Sequence, residues 1–377
     1  MGKVFDLSKV MKNVTKKMPS VSLGKLEPKV WLSSGCYALN WLLTKDFKKA
    51  FPLEGFMNML AGASSSGKSY ICSGNVVKDA LSKGINVLLI DTEFRLDDEW
   101  LRNIGIDVDS PLLTLCRTKV LQEIMTIVKN VTDEYQATYE GVDFDDQPGM
   151  LIVIDSLGAI FSADELDRMG DGNLSMTDGM RRAQDITKMT NSLSYNIAGK
   201  KIGLMMTNHV YASGDMYTDD KIPGGQKLVF LNTQILQMNK GKLKAADVEG
   251  DKIEDAKDSE VVGIRSICRV YKSNWNKSSE RIEVQIPYDK GMNPYSGLFD
   301  LLKARKILKD GEKANTYTYN SLLDGSVVFA NKRRKEITNE DYDRIMDDYA
   351  IAKESGKLLD LVITKEISES PVKTEEK

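Results

Sequence analysis

The segment NMLAGASSSGKSYI, residues 58–71, decides the fold of this chain. It contains the pattern G-x-x-x-x-G-K-[ST]. The glycines let the backbone curl so that successive N–H groups point into one concavity, which suits phosphate oxygens. Lys68 supplies a positive charge for the outer phosphates, and the Ser69 hydroxyl is placed to bind Mg²⁺. The pattern predicts a phosphate-binding loop made of Gly62, Ala63, Ser64, Ser65, Ser66, Gly67, Lys68 and Ser69.

Both flanks of this loop agree with the prediction, because a phosphate-binding loop follows a strand and precedes a helix. Residues 56–60 are mostly apolar and suit a buried strand. Residues 70–82 have helical spacing and end near Gly84, which can cap a helix. The alternative is a chance Ser/Gly loop ahead of a helix, and both flanks argue against it.

Length and composition describe an ordinary globular protein. The 377 residues allow one large domain with additions or two domains, and 41% of them are hydrophobic, enough for a sizeable core. The chain has no apolar run that could span a bilayer and no secretory signal, and its four cysteines are scattered. These features favour a cytoplasmic protein with reduced thiols and no membrane partner. The net charge of −3 means that any DNA contact requires a local patch.

Two further apolar strands are predicted to end in carboxylates. Residues 86–91 are followed by Glu93, and residues 151–154 end at Asp155. Carboxyl ends of parallel strands meet at the edge of the sheet where ligands bind. An apolar strand closing on Asp155 matches the Walker B pattern, in which the carboxylate supports Mg²⁺ directly or through water. Glu93 is either a group that polarises attacking water or a helix cap, and the residues alone do not separate these interpretations.

A third predicted strand, residues 202–207, ends at Asn208 and His209. His209 is the only histidine of the chain, and its place at a strand end favours a role in the site over that of an ordinary polar residue. Residues 162–180 and 210–224 are predicted to be flexible loops from their polar and glycine content. Residues 110–137 are predicted to be helical, and residues 228–238 and 261–270 to form strands.

The order of these motifs resembles that of RecA-family recombinases, and most of all the phage recombination ATPases of the UvsX type. The resemblance covers about residues 30–302 and is carried by LSSGCYALNWLL, GASSSGKS, LIDTEFRLDDEWLRNIGIDVD, LIVIDSLGAI, TNH, PGGQKLVF and KSNWNKSSERIEVQIPYDKGMNPYSGLFDL. It implies an α/β fold, a RecA-like P-loop ATPase core with a mostly parallel central sheet flanked by helices. The residues themselves predict an N-terminal arm (residues 1–29) with the apolar spacing of a short amphipathic helix, which packs either on its own domain or, as an oligomerisation arm, on a neighbour. They also predict a C-terminal region (residues 303–377) whose polar tail is disordered.

The resemblance also implies roles for single residues. Glu93 would activate water, His209 would sense the terminal phosphate, and Lys272 would reach the ATP of a neighbouring subunit. The second basic residue of that trans pair is Asn274 here. Asp97 and Trp100 would contact adenine. The implied nucleotide site consists of Gly62, Ser64, Ser65, Ser66, Gly67, Lys68, Ser69, Tyr70, Asp97 and Trp100, with Ser69 and Asp155 for Mg²⁺.

Two DNA-binding loops, at about residues 162–180 and 210–225, follow from the same resemblance. Arginine supplies phosphate contacts, an apolar or aromatic side chain wedges between bases, and glycine N–H groups approach the backbone. The residues implied are Arg181, Arg182, Met216, Tyr217, Gly224 and Gly225.

The implied function is a DNA-dependent ATPase that forms filaments on single-stranded DNA and pairs it with a homologous duplex, using ATP and Mg²⁺. Its expected partners are further copies of itself, a single-strand-binding protein and a mediator, in the bacterial host cytoplasm if it is phage-encoded. A hexameric helicase is one alternative, although the short arm before residue 30 leaves little room for its collar domain. A non-catalytic ATP-binding mediator is another. Glu93 and His209 argue against it, and Asn274 argues mildly for it.

Overall fold

The chain divides into two compact units. The computed structural model describes residues 6–8, 10–11, 14, 27–173, 175, 177–211, 222–248, 257–276 and 280–357. The larger unit extends to Pro294, and the smaller unit begins at Tyr295. The helix Leu298–Ala304 packs against the strand that follows it. The predicted functional division, with a core over residues 30–302, stays a prediction.

An eight-stranded sheet forms the centre of the larger unit. A short antiparallel pair, β1 (Trp31–Leu32) and β2 (Phe51–Pro52), precedes it. The sheet consists of β3 (Met57–Gly62), β4 (Asn86–Asp91), β5 (Leu113–Arg117), β6 (Met150–Asp155), β7 (Ile202–Asn208), β8 (Gln234–Lys244), β9 (Val261–Ser273) and β10 (Arg281–Pro287). Its spatial order is β10-β9-β8-β3-β7-β6-β4-β5. The strands from β8 to β5 run parallel, whereas β9 and β10 are antiparallel to their neighbours.

Helices cover this sheet because its central strands are apolar on both faces. Residues of β3, β4, β6 and β7 pack with two long amphipathic helices in one hydrophobic core. A π-helical turn, Tyr70–Val76, follows the phosphate-binding loop. The helices are α1 (Tyr37–Thr44), α2 (Val77–Ser82), α3 (Asp98–Asn103), α4 (Leu121–Thr138), α5 (Ala163–Gly170), α6 (Asp178–Ile197) and α7 (Gly225–Leu231). The predicted mostly parallel sheet flanked by helices is confirmed.

Two segments differ from their predicted structure. Residues 110–137 were expected to be helical, but β5 occupies the first part of this stretch and α4 begins only at Leu121. The strand was missed because β5 is a short edge strand whose residues are half-buried or exposed, so its apolar pattern is weak. Residues 228–238 were expected to form a strand, but they begin inside α7, and β8 starts at Gln234.

The prediction of an irregular loop over residues 162–180 is wrong for residues 163–170, which form α5. Ser162 caps this helix by accepting the N–H of Glu165 at 3.3 Å. Acidic residues in the first turn and Arg168 in the last turn complement the helix dipole. The S-x-x-E pattern at residues 162–165 is the sequence signal that identifies this helix start.

The smaller unit is an antiparallel sheet with helices. It contains α8 (Leu298–Ala304), β11 (Leu308–Asp310), β12 (Thr316–Asn320), β13 (Val327–Arg333) and α9 (Asn339–Glu354). Tyr319 is fully buried and donates its hydroxyl to Asp348 at 3.0 Å, while Arg344 pairs with the same carboxylate at 3.0 Å. Across the described parts of both units, no helix combines the length and apolar character needed to cross a membrane.

Candidate active site

The predicted phosphate-binding loop joins the end of β3 to the π-helical turn, and two of its glycines leave no room for a side chain. A Cβ on Gly62 would lie 2.3 Å from the carbonyl oxygen of Met238 on β8. Gly67 has φ +95°, and a Cβ there would lie 2.6 Å from Ile286. Neither position accommodates a side chain without displacing its neighbours. The loop is also supported from β9, where the Ser266 hydroxyl donates to the carbonyl of Ser66 at 2.9 Å.

The ammonium group of Lys68 lies inside the curve of this loop. It is buried and donates to the carbonyl oxygens of Gly62 at 2.9 Å and Ala63 at 2.8 Å. Burial lowers the pKa of Lys68, and the nearby carboxylates only partly oppose this effect. Within the described part of the chain, the buried Ser66 hydroxyl has no hydrogen-bond partner. A phosphate oxygen would accept from both groups, so the residues present fit a phosphate.

Asp155, at the end of β6, is held beneath the loop. Its carboxylate accepts the hydroxyl of Ser73 at 2.7 Å and that of Thr207 at 2.5 Å. The described residues contain no group of three His, Cys, Asp or Glu side chains that could hold a metal ion by themselves. Mg²⁺ prefers oxygen ligands and keeps several waters, so the Ser69 hydroxyl and Asp155 fit it only together with phosphate oxygens and water. Sequence reasoning missed Ser73 and Thr207.

Glu93 has a partner on each carboxylate oxygen. One oxygen accepts the Ser156 hydroxyl at 2.7 Å and faces Nε2 of His209 at 3.3 Å, and the other lies 3.1 Å from Arg95. Burial would raise the pKa of Glu93, but the hydrogen bonds from Ser156 and His209 and the charge of Arg95 outweigh burial. The pKa therefore lies below its ordinary value. Glu93 is thus an ionised carboxylate held in a fixed position.

The turn that carries Glu93 is fixed by Asp91, a residue to which the sequence assigns no role. The buried Asp91 carboxylate accepts the N–H groups of Glu93, Phe94 and Leu96 at 3.1, 2.8 and 2.9 Å. The neighbouring Thr92 hydroxyl donates to the Ser156 carbonyl and accepts the Ser156 N–H, both at 2.7 Å. These bonds tie the ends of β4 and β6 together and set the direction of the Glu93 side chain.

Replacing Asp91 by Ala should reduce the free energy of unfolding by about 3 kcal/mol, because three backbone donors lose their acceptor. Urea denaturation of the full chain measures this change. The exposed Asp109 provides the control, and its replacement by Ala should change stability by less than about 0.5 kcal/mol. Equal stability of the two variants would show that Asp91 does not hold the turn.

His209 is placed by close packing at the end of β7. Its ring lies against Gly158, where a Cβ would approach the ring carbon Cδ2 to 2.8 Å. The preceding Asn208 donates its side-chain amide to the carbonyl of Pro223 at 2.9 Å. The end of β7 therefore contacts both Glu93 and the segment that leads into α7. Sequence reasoning missed Gly158, and only its position just beyond the Walker B strand could have suggested it.

A cavity of about 300 Å³ lies at the carboxyl edge of the parallel strands, and Lys68, Ser69 and Asp155 are not among its lining residues. The structure brings Glu93 and His209 together there with Ser64 of the phosphate-binding loop. The other lining residues are Arg95, Lys119, Gly158 and Ala159. An ionised carboxylate, a histidine and a phosphate-binding loop around one cavity can position water against a phosphate ester.

Similarity to known proteins agrees with this geometry. The family model described as the RecA N-terminal domain matches residues 6–293. The chain belongs to the RecA family. It is 27% identical to Protein RecA of Ruminococcus albus over 258 residues. This aligned region covers 66% of this chain and 56% of that protein. The chain is 25% identical over 336 residues to Protein RecA of Mycoplasmopsis pulmonis, with 86% of each chain covered.

A phage protein is also similar to this RecA-family chain. The recombination and repair protein of Enterobacteria phage T4 is 23% identical over 214 residues, covering 57% of this chain and 48% of the phage protein. The chain therefore spans about half the length of the phage and Ruminococcus relatives. The central sheet with its flanking helices is a RecA fold.

The residues predicted to contact adenine in this RecA-family chain lie apart from the cavity lining. Asp97 caps α3, and its side chain accepts the N–H of Trp100 at 2.7 Å. Trp100 itself is half-buried on that helix. The Tyr70 hydroxyl accepts the N–H of Met292 at 3.0 Å. The sequence left open whether Glu93 caps a helix. In the structure the helix cap is Asp97, and Glu93 lines the cavity.

Lys272 holds the end of a helix in its own chain. Its ammonium group donates to the carbonyls of Val229 at 2.9 Å and Phe230 at 2.7 Å, and burial lowers its pKa. Through β8, Lys272 lies level with Met59 in the first half of β3. Lys272 therefore lies level with a point three residues before Gly62, where the predicted phosphate-binding loop begins. Its predicted contact with the ATP of a neighbouring subunit stays a prediction.

The predicted DNA-contacting residues fall into three groups. Arg182 makes three hydrogen bonds to the buried Glu165, the shortest at 2.5 Å, and stacks 4.2 Å from the Phe161 ring. Arg181 is exposed and lies 3.5 Å from Asp178. Gly224 and Gly225 have φ of +105° and +79° and open α7, which explains why glycine is needed there. Met216 and Tyr217 lie outside the described residues.

Proposed function

We propose that this RecA-family chain is a DNA-dependent ATPase that assembles on single-stranded DNA and pairs it with a homologous duplex in recombination and repair. The contact between His209 and Glu93, 3.3 Å long, is the observation that carries the proposal. Glu93 would activate the water, and His209 directly follows β7, where the second predicted DNA loop begins. The contact therefore links the predicted water-activating group to that loop. The names of the bacterial and phage relatives support the same assignment.

The residues of the cavity support hydrolysis of a terminal phosphate. Glu93 is ionised and would orient a water molecule, whose oxygen bonds to the terminal phosphorus. The bond from that phosphorus to the bridging oxygen breaks, its electron pair leaves with ADP, and the proton of the water passes to Glu93 or solvent. Lys68 and the loop N–H groups would stabilise the charge on the phosphate oxygens. Ser69 and Asp155 would help to hold Mg²⁺, which would supply further positive charge for these oxygens.

Coupling to DNA would use the end of β7. His209 contacts Glu93, and Asn208 contacts Pro223 at the far side of the second predicted loop. A terminal phosphate that changes the position of His209 would also displace this strand end. The loop between them would then bind DNA differently in the two nucleotide states, as in other switches that order a segment around a phosphate.

The proposed setting is the cytoplasm, that of a bacterial host if the gene is phage-borne, with a single-strand-binding protein and a mediator as partners. Electron microscopy of the full chain on single-stranded DNA, with ATP and Mg²⁺, tests the assembly. Helical filaments that pair a homologous duplex are the expected result. Closed rings would indicate a hexameric helicase instead. Nucleotide binding without turnover or assembly would indicate an ATP-binding mediator.

The proposal also predicts the pH dependence of hydrolysis. Glu93 has a lowered pKa, so its ionised form adds stability above the ordinary value of 4.5, and this stability is lost as the pH falls through the lowered pKa. Ser156→Ala removes one hydrogen bond that lowers the pKa, while burial remains. The acid limb of kcat/KM should therefore move to higher pH, as measured from about pH 4 to about pH 8. An unchanged acid limb would show that Glu93 is not the titrating group.

A further inference from the structure

Two cationic side chains that the sequence did not single out line the cavity beside Glu93. They are Arg95 and Lys119, and both are exposed. We propose that Arg95 and Lys119 contact the terminal phosphate of a nucleotide bound to the same chain, and so distinguish ATP from ADP and stabilise the transition state. This inference rests on the nucleotide hydrolysis proposed above and assigns it two further catalytic residues.

The backbone around Arg95 is fixed, so its side chain starts from a defined point. Asp91 accepts the N–H groups of Phe94 and Leu96 on either side of it. From β5, the Arg117 guanidinium donates to the carbonyl of Leu96 at 2.9 Å. A catalytic cation needs such support, because a side chain on a mobile turn cannot hold the position that a phosphate requires.

The backbone at Lys119 is fixed as well. Its carbonyl accepts the N–H of Phe161 at 2.9 Å, and the N–H of Leu121 donates to the carbonyl of Phe161 at 2.9 Å. These bonds tie the end of β5 to the segment that follows β6. The Lys119 ammonium lies 5.2 Å from the centre of the Phe94 ring, which directs it toward the turn that carries Arg95.

The ion pair of Arg95 with Glu93 is suited to exchange. The Arg95 side chain is 74% exposed, and an ion pair so open to water contributes little stability. A phosphate offers oxygens that match the planar guanidinium in two parallel hydrogen bonds. When Arg95 moves to a phosphate, the second oxygen of Glu93 becomes available to a water molecule. One exchange would thus bind the phosphate and free the group that orients the nucleophile.

Charge that develops during the reaction gives these cations a role. The terminal phosphate of ATP carries about two negative charges, and Glu93 adds a third on the same side of the cavity. Lys68 and a bound Mg²⁺ would offset these charges in the ground state, and further cations beside the phosphate would stabilise the charge that develops as the bond breaks. The resemblance places a second cation of a neighbouring subunit where this chain has the uncharged Asn274. Arg95 and Lys119 supply positive charge from within the chain.

The test is the ratio of affinities for a non-hydrolysable ATP analogue, adenylyl-imidodiphosphate, and for ADP. Arg95→Ala and Lys119→Met should each lower this ratio by about tenfold, with ADP affinity changed by less than about twofold. The kcat for ATP should fall by about 10- to 100-fold. Arg95→Lys, which keeps the charge but loses the planar guanidinium, should lower the ratio less than Arg95→Ala does. Arg102→Ala is the matched control, because Arg102 is also exposed and pairs with a carboxylate.

A wild-type affinity ratio in both Arg95→Ala and Lys119→Met would overturn the proposal. So would a lower kcat accompanied only by a shifted acid limb, because that pattern means that Arg95 acts on Glu93 and not on phosphate. The result is separable from the proposed function. If the wild-type chain hydrolyses ATP without response to DNA, the recombinase assignment fails, yet dependence of the affinity ratio on both cations still supports this site.

Discussion

Replacing Glu93 by Gln should lower the kcat of ATP hydrolysis by about 10²- to 10³-fold, because an amide cannot accept the proton of the attacking water. Gln keeps the size of Glu93 and its ability to accept the Ser156 hydroxyl. Nucleotide affinity should therefore stay within about threefold of the wild-type value, since the effect falls on the transition state. Steady-state hydrolysis and equilibrium nucleotide binding measure the two quantities separately.

The control for this variant is Glu134→Gln, which changes an exposed residue of α4. Its turnover should match that of the wild type. A Glu93→Gln variant with turnover within about twofold of the wild type would remove Glu93 from the chemistry. The cavity would then need another base, and His209 is the remaining candidate among its lining residues.

Replacing Lys68 by Ala should abolish measurable hydrolysis and weaken ATP binding. A charge-assisted hydrogen bond to phosphate contributes about 2 kcal/mol, so affinity should fall by about 30-fold. The folded state should tolerate the change, because the lowered pKa shows that burial of the Lys68 charge is unfavourable. Calorimetric titration with ATP and thermal unfolding without nucleotide separate binding from stability.

Lys129→Ala is the matched control, since Lys129 is an exposed lysine on α4. Its ATP affinity should equal that of the wild type. Wild-type-like turnover by Lys68→Ala would contradict the assignment of the loop as a phosphate site. Loss of folding by Lys68→Ala would instead show that the bonds from Lys68 to Gly62 and Ala63 stabilise the loop itself.

The sequence predicted the parts of the site that lie at strand ends. A buried parallel strand has a continuous apolar pattern, and the residue that follows it lies at the ligand-binding edge. That rule located Glu93, Asp155 and His209 without knowledge of their contacts. The predicted phosphate-binding loop could also be recognised from the sequence, because its glycine pattern is fixed by packing. Gly62 lies close to Met238 and Gly67 lies close to Ile286, so neither position has room for a side chain.

The supporting residues were not predictable in the same way, because their roles depend on strand order. Asp91 and Asp155 end strands with the same Ile-Asp motif, and β4 and β6 align them side by side. Only this register shows that Thr92 and Ser156 exchange hydrogen bonds. Arg95 and Lys119 are distant in sequence, and they meet because β5 lies beside β4.

Local signals explain the errors in secondary structure. The polar composition of residues 162–180 concealed the capped helix α5, and the exposed face of β5 concealed an edge strand. Arg182 was predicted to line DNA, and the structure pairs it with Glu165 of that same helix. Glu165 is positioned by α5. Because residues 162–180 were predicted to be a loop, the ion pair between Arg182 and Glu165 could not be predicted.

ATP hydrolysis by the full chain, measured without DNA, with single-stranded DNA and with duplex DNA at two salt concentrations, tests the central claim most directly. Single-stranded DNA should stimulate turnover strongly, and the stimulation should weaken at the higher salt concentration, because phosphate contacts release counterions on binding. Turnover that does not respond to DNA would contradict the account. It would leave an ATP-hydrolysing RecA fold whose site is not coupled to DNA.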